Sequence, residues 1–382
     1  MLAPIAAVLL FFQPVNSLDD ARRALRDARP GDRIELAAGT YDGSLWIENV
    51  RGREGAPIVL AGADPASPPV IRGETECVHL SGCEWITVEG LVLEGARGNG
   101  LNADDAGRIA QPARGVTIRS LIVRDIGDPA RNGNWDGIKL SGLAGFVVEN
   151  CTVERWGGGG SGIDMVGCAD GKIVGCDVRH EAGKGASGIQ AKGGSRNVLV
   201  ENCRFEHAGS RAINIGGSTG LAYFRPKPEG YEARDITISN CTILGSDASI
   251  AFVGVDGATV KRCTIVNPRR WVLRILQETR EPGFVECRGG RLEQNIIVFD
   301  QPSAGQPNIG DRTNPGSFVF DRNLWYCSSD PAHSRPALPS QEAGGTYGLD
   351  PRLADVDGGD FSPASDGPGA GLGAVLPASA VK

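Results

Sequence analysis

Basic residues are in short supply in this chain. Across 382 residues, 39 Lys and Arg stand against 46 Asp and Glu, giving a net charge of −7 and a pI near 5.3. A nucleic-acid binder normally carries a basic footprint, so that class is excluded. An anionic ligand would need a local cluster of cations. Long apolar runs are missing too. The longest, LAPIAAVLLFF (2–12), is too short to span a bilayer, so no membrane partner is expected. It fits the h-region of a secretory signal with cleavage near Val15-Asn16-Ser17, although no Lys or Arg precedes it. The alternative is a buried first strand. Aromatics reach only 6% and charged residues 22%, against 41% hydrophobic residues, a balance that excludes a disordered chain. The glycines lack a Gly-X-Y period, which excludes collagen.

What is abundant is glycine, 55 residues, roughly double the usual ~7%. So much glycine disfavours a helical bundle and points to β structure with many turns. Five of the ten cysteines sit in one recurring phrase: VVENCTVER (147–155), KIVGCDVRH (172–180), VLVENCRFEH (198–207), ITISNCTIL (236–244) and TVKRCTIV (259–266). A strand-bearing repeat of ~20–30 residues marks a solenoid. Cysteines at equivalent inward positions then stack as small apolar side chains, most simply as free thiols. Cys77 and Cys83 are close enough in sequence for a local bridge. Asn150, Asn202 and Asn240 precede the cysteine in three repeats, and Asn295 and Asn323 recur in later phrases. Together they suggest an inward Asn ladder, a structural device.

A second phrase follows each of these: WDGIKLSG (135–142), SGIDMVG (161–167), SGIQAKGG (187–194), RAINIGG (211–217), ASIAFVG (248–254) and WVLRILQ (271–277). Each alternates apolar and polar with period two, as a half-buried strand does. Ile138, Ile163, Ile189, Ile213, Ile250 and Leu273 should point inward. Two strands per unit and about nine units, from roughly residue 56 to 327, predict an all-β chain folded as a right-handed parallel β-helix. LDDARRALRDAR (18–29) has the apolar spacing and charge order of a capping helix. The domain division is therefore a signal at 1–17, a capped β-helix at 18–327 and a loop-rich extension at 328–382 wrapping the last rungs before a flexible tail.

ALRDARPGDRIELAAGTYDG, followed by APIVLAG and VIRG, resembles the cap and first rungs of β-helix polysaccharide lyases, namely chondroitinase B and the related alginate lyases. The closing DPRLADVDGGDFSPASDGPGAGLG looks like the ending of secreted bacterial β-helix proteins. The resemblance implies a secreted or periplasmic enzyme, taken here as a monomer, acting on an acidic polysaccharide.

The residues after the inward apolar column face outward: Lys139, Asp164, Gln190, Asn214, Ala251 and Arg274. Stacked ~4.8 Å apart, they form a polar column able to grip an extended polymer. Lys192 faces the same side, with Asn214 expected beside it and Arg211 at the strand entry. A uronate lyase must neutralise the sugar carboxylate, remove the C5 proton and protonate the leaving oxygen. The resemblance implies a lysine base, matched here by Lys192, and an arginine one rung on. Arg211 follows 19 residues later, although strand register places that arginine position nearer Asn214. Many of those lyases also bind Ca²⁺ through acidic residues before the lysine. KGASGIQ (184–190) has none, so no metal or other cofactor is predicted, with Ca²⁺ the alternative neutraliser. Lys139, Arg211 and Arg274 are candidates for neutralisation, Asp164 for pairing with them, and His180 and His207 for proton supply. Trp135 and Trp156 are candidates to stack on sugars. The insertion GGSTGLAYFRPKPEGYEARD (216–235) breaks the period and should form a wall of Tyr223, Phe224 and Arg225 beside the groove. Three functions compete: a lyase or an epimerase; a glycoside hydrolase using Asp136 and Asp164; and a non-catalytic carbohydrate-binding surface protein.

Overall fold

A computed structural model describes residues 13–128 and 130–376. The expected cap is a helix, α1, over Leu18–Asp27. The Ser17 side chain accepts a hydrogen bond from the Asp20 amide at 3.0 Å, and Asp19 and Asp20 occupy the first turn, where they complement the helix dipole. Ala21 and Leu25 are buried against the first rung. The helix stops short of Arg29 because the residue before Pro30 is pushed out of helical geometry. The segment Leu2–Phe12, read as a signal, lies outside the described residues. Just after it, the Val15 amide donates to the Glu35 carbonyl at 2.8 Å.

Each turn of the solenoid has three strands, not the expected two. They build three parallel sheets: sheet 1 starts at Arg33–Leu36, sheet 2 at Thr40–Asp42 and sheet 3 at Leu45–Glu48. The cysteine phrase is bent into two strands. Val147–Glu149 lies in sheet 1 and Thr152–Glu154 in sheet 2, with Asn150 between them at φ 53°. Asn202 and Asn240 make the same left-handed bend, and so do Ser120, Arg262 and Gln294. Asn tolerates that conformation better than most residues, which explains its recurrence there. Eleven strands stack along the main path of sheet 1, against about nine units expected; one of the additional rungs begins at Arg33, ahead of residue 56.

The inward column holds in register from Ile138 through Ile163, Ile189, Ile213 and Ile250 to Leu273, all buried. Leu91, Leu121, Cys151, Cys176, Cys203, Cys241, Cys263, Asn295 and Asn323 form a second buried column, one residue after each bend. The expected Asn ladder therefore separates into two positions. Asn150 is exposed at a bend, whereas Asn295 and Asn323 are fully buried and joined by a 2.8 Å hydrogen bond. All ten cysteines are buried and free, including Cys77 and Cys83.

The chain beyond Cys327 doubles back along sheet 2. The antiparallel pair Leu353–Asp355 and Asp360–Pro363 lies against it, with Arg204 donating to the Gly359 carbonyl at 2.7 Å. The tail expected at the C-terminus falls partly outside the described residues. Among the described residues no helix is long and apolar enough to cross a membrane.

Candidate functional site

Sheet 3 carries the polar column. Its outward register runs Trp46, His79, Asn102, Lys139, Asp164, Gln190, Asn214, Ala251, Arg274 and Asn308. The order from Lys139 to Arg274 is the one the alternation predicts. Two residues on, a parallel column runs Glu48, Ser81, Asp104, Ser141, Val166 and Lys192. Lys192 is thus level with Gly216, and Asn214 pairs with Gln190, one step away from the expected neighbour.

Lys139, Asp164 and Lys192 come together, and Asp136 joins them. The Lys139 ammonium lies 3.2 Å from Asp136 Oδ2 and also contacts Asp164 Oδ2. Lys192 Nζ is 3.4 Å from Asp164 Oδ1 and 3.2 Å from Gln190 Oε1. Both aspartates are 0% exposed. Burial, and then the neighbouring Asp164 charge, push the Asp136 carboxyl above its ordinary range. Burial alone would lower Lys139, but Asp164 and Asp136 outweigh it and hold the ammonium charged. Asp136 Oδ2 and Asp164 Oδ1 lack well-aligned hydrogen bonds, so their contacts are of charge rather than of directed bonding.

The third cation is Arg225, from the insertion. The Arg225 amide donates to the Gly193 carbonyl at 3.1 Å, next to Lys192. Its side chain then crosses a trough of corner glycines. A Cβ on Gly167 would meet Arg225 Cβ at 2.3 Å, and one on Gly142 would meet Arg225 Cδ at 2.8 Å. At the end of the trough Arg225 Nε reaches Asp105 Oδ2 at 3.1 Å, a carboxyl that burial raises above its usual range. Glu232 anchors the insertion from below. This fully buried carboxylate accepts from the Gly193 amide at 2.9 Å, the Thr219 amide at 2.8 Å, the Thr219 hydroxyl at 2.7 Å and the Thr279 hydroxyl. The result is a cavity of about 460 Å³ lined by Lys139, Lys192, Arg225, Ser141, Thr219 and Tyr223, among others. The expected wall is there for Tyr223 and Arg225. Phe224 instead turns inward against Phe284, with ring centroids 5.5 Å apart.

Arg211 does not join them. It lies in register with Ser187, five residues from Lys192 along the strand, or roughly 16 Å at ~3.3 Å per residue. It pairs with Glu278 at 2.6 Å. Arg274 bonds to Asn308 Oδ1 at 2.9 Å and covers the Trp271 ring, beyond the cavity. Trp156 and His180 are core residues. The indole donates to the Gly160 carbonyl at 3.0 Å, and His180 Nδ1 accepts from the Glu181 amide at 2.7 Å while Nε2 reaches the Trp156 carbonyl at 2.8 Å. Burial lowers the His180 pKa, in keeping with a neutral ring. His207 sits at a bend between sheets 2 and 3 (φ 47°), away from the cavity. Trp135 packs its ring on Gly127, Gly133 and Gly157, at which any Cβ would come within 3 Å of it.

Sequence reasoning missed the other end of the groove. A shallower cavity of about 620 Å³ continues from Lys139, Ser141 and Arg225 to Trp46, Glu48, His79, Asn99, Asn102 and Asp104. His79 is 8% exposed, with Nδ1 2.5 Å from Glu76 Oε2 and Nε2 2.7 Å from Asp104 Oδ2. Burial would lower its pKa, but the two carboxylates win and raise it to about 9. Trp46 stacks on its ring at 3.8 Å. Extending the outward register three rungs toward the N-terminus would have found these residues.

Calcium does not fit this donor set, because the Lys139 ammonium already stands between the two buried aspartates. Among the described residues no group of three or more His, Cys, Asp or Glu is placed to hold a metal ion.

The chain belongs to the family of right-handed β-helix regions, which matches residues 76–270, more than half its length. Its handedness and class are therefore those expected from the repeats. No curated protein sequence matches it. Among solved structures it is similar to the alginate lyase from Paenibacillus sp. str. FPU-7, with 21% identity, a TM-score of 0.55, and 87% of this chain and 96% of that one covered. It is also similar to the A-module of the Azotobacter vinelandii mannuronan C-5 epimerase, at 14% identity, a TM-score of 0.54, and coverage of 86% and 93%. A third similarity is to pectate lyase Pel9A, at 15% identity, a TM-score of 0.52, and coverage of 94% and 84%. At these identities the likeness is one of fold, a fold shared with carbohydrate-active enzymes.

Proposed function

We propose that the chain is an exported polysaccharide lyase that cleaves a uronate-containing polymer by β-elimination in the sheet 3 groove. The observation that carries this reading is the convergence of Lys192, Lys139 and Arg225 on one cavity, over carboxylates buried beneath them. Arg225 and Lys139 would neutralise the uronate carboxylate, making the C5 proton more acidic. Lys192 would accept that proton. The electron pair left on C5 would form the C4=C5 double bond as the C4–O bond breaks, and the leaving oxygen would take a proton from water. Lys192 sits on a strand end fixed through Gly193 by Glu232, so its position is set before substrate arrives. Export rests on the Leu2–Phe12 segment.

The test is incubation with alginate, pectate and unsulfated glycosaminoglycans. Ultraviolet absorbance from a C4=C5 bond supports elimination. New reducing ends without that absorbance would assign hydrolysis instead, and binding without either would leave a carbohydrate-binding protein. Lys192→Ala should lower turnover by about 10²–10⁴-fold, the usual contribution of a positioned base, with an unchanged circular dichroism spectrum. An unaltered rate would remove Lys192 from the mechanism.

A further inference from the structure

The two ends of the groove differ in charge. At the Lys192 end, side chains of three cations line the cavity while Asp105, Asp136 and Asp164 are fully buried. Toward Trp46, past the Lys139 and Arg225 that the two cavities share, Glu48 and Asp104 line the groove, and His79 is held between Asp104 and Glu76. A uronate placed beside Trp46 would meet the like charges of Glu48 and Asp104. An uncharged ring would not. Trp46 is 46% exposed, and its indole donates to Glu48 Oε1 at 2.9 Å, so the ring is oriented before any ligand arrives. An indole fixed in this way offers an apolar face to the C–H face of a sugar. Around it Ser81, Asn99, Asn102 and the two acidic side chains provide partners for hydroxyls and amides. The register from Lys192 through Val166, Ser141, Asp104 and Ser81 to Glu48 spans five rung spacings, roughly 24 Å at ~4.8 Å each, room for more than one ring.

We propose that the Trp46 end is a subsite for an uncharged, unsulfated sugar, so that the substrate alternates uronate with a neutral or N-acetylated ring and is not a homouronan. This inference rests on the lyase reading of the Lys192 end and specifies its substrate class. Calorimetric titration and the elimination assay should be run with hyaluronan, unsulfated chondroitin and heparosan oligosaccharides against oligomannuronate, oligoguluronate and oligogalacturonate of equal length. The expected result is tighter binding and faster elimination for at least one alternating series, by about tenfold, the ratio a ~1.4 kcal/mol stacking contact would give. Trp46→Ala should remove that preference, and Glu48→Gln should improve homouronan binding. Elimination that favours a homouronan, or a preference untouched by Trp46→Ala, overturns this inference and leaves the lyase reading standing. Absence of both binding and elimination across the panel overturns the two together.

Discussion

Sheets 2 and 3 each carry a column of charged residues in register, and the columns differ in what surrounds them. On sheet 2 the order is Arg72, Glu94, Arg124, Glu154, Arg179 and Glu206. Signs alternate along the rungs, each arginine finds a glutamate near 2.8 Å, and the guanidinium groups stay open to water. On sheet 3 the order is Lys139, Asp164, Gln190, with Asp136 and Lys192 alongside; the aspartates are out of solvent and two of their oxygens lack directed hydrogen bonds. The first column is a solvated ladder whose members satisfy one another. The second is a set of charges held at close range in a concave, partly dry place, where electrostatic effects on a ligand are larger. Stacking places residues in columns on both faces; the 216–235 insertion closes over the sheet 3 column, whereas the C-terminal pair reaches only the Arg179 and Glu206 end of the sheet 2 column.

The comparison predicts unequal costs of breaking the two columns. The largest is for Lys139→Met, which strips Asp136 of its cation and leaves Asp164 only Lys192 at 3.4 Å. Loss of one partner of a buried charged set costs about 3–5 kcal/mol, to be read from chemical denaturation. Replacing both aspartates by asparagine in the same chain should recover most of that loss. Failure to recover would mean that the loss does not come from the carboxylates left beside Lys139. Next is Gly167→Ala. The added methyl group collides with Arg225 Cβ at 2.3 Å and with its carbonyl at 2.5 Å, so the insertion must lift. Displacing a positioning group by ~1 Å can lower kcat/KM by about 10²-fold, so activity should fall by about that much, and the left-handed φ of 61° should cost a further ~1 kcal/mol of stability. Normal activity in this variant would show that Arg225 does not need the glycine trough.

Much of this contrast was legible in the sequence. Period-two alternation fixes which side chains share a face, so the order from Lys139 to Arg274 follows from spacing alone. The third strand per rung was hidden because Asn150 or Arg262 bends the chain with no glycine or proline to mark it. Within the strands the site was legible by register; outside them the broken period placed Arg225 beside the groove but not its contacts. Lys192 and Asp164 are strand residues, whereas Arg225 reaches the cavity from a twenty-residue insertion whose path no periodicity describes. Its signal was indirect: the glycines at 142 and 167 stack at one corner and leave the space its side chain fills. Arg211 was the substitute suggested by sequence distance, but register carried it to the other end of the strand.

His79 tests the acidic end of the sheet 3 column. Its pKa stands near 9, above the ~6.5 of an unfolded chain, so its ion pairs stabilise the fold fully below about pH 6.5 and cease to do so as pH rises through about 9. An unscreened shift of this size would be worth ~3 kcal/mol. With one side of the groove open to water, a loss of about 1–2 kcal/mol between pH 6.5 and 9 is expected. His79→Asn should lack that decline in denaturation curves taken across the same range. A parallel decline in both proteins would place the titrating group elsewhere.

The smallest effect belongs to sheet 2. Arg124 meets Glu94 at 2.8 Å with more than a third of its side chain exposed. Arg124→Ala removes one member of the ladder, but Glu94 keeps Arg72 at 2.8 Å and keeps its access to solvent, so no charge is left stranded. The expected loss is below about 1 kcal/mol, shrinking further in high salt, with elimination activity unchanged. A loss comparable to that of Lys139→Met would mean that alternation on an open face is as tightly coupled as burial on a closed one. The distinction between the two columns would then be one of sequence order and not of environment.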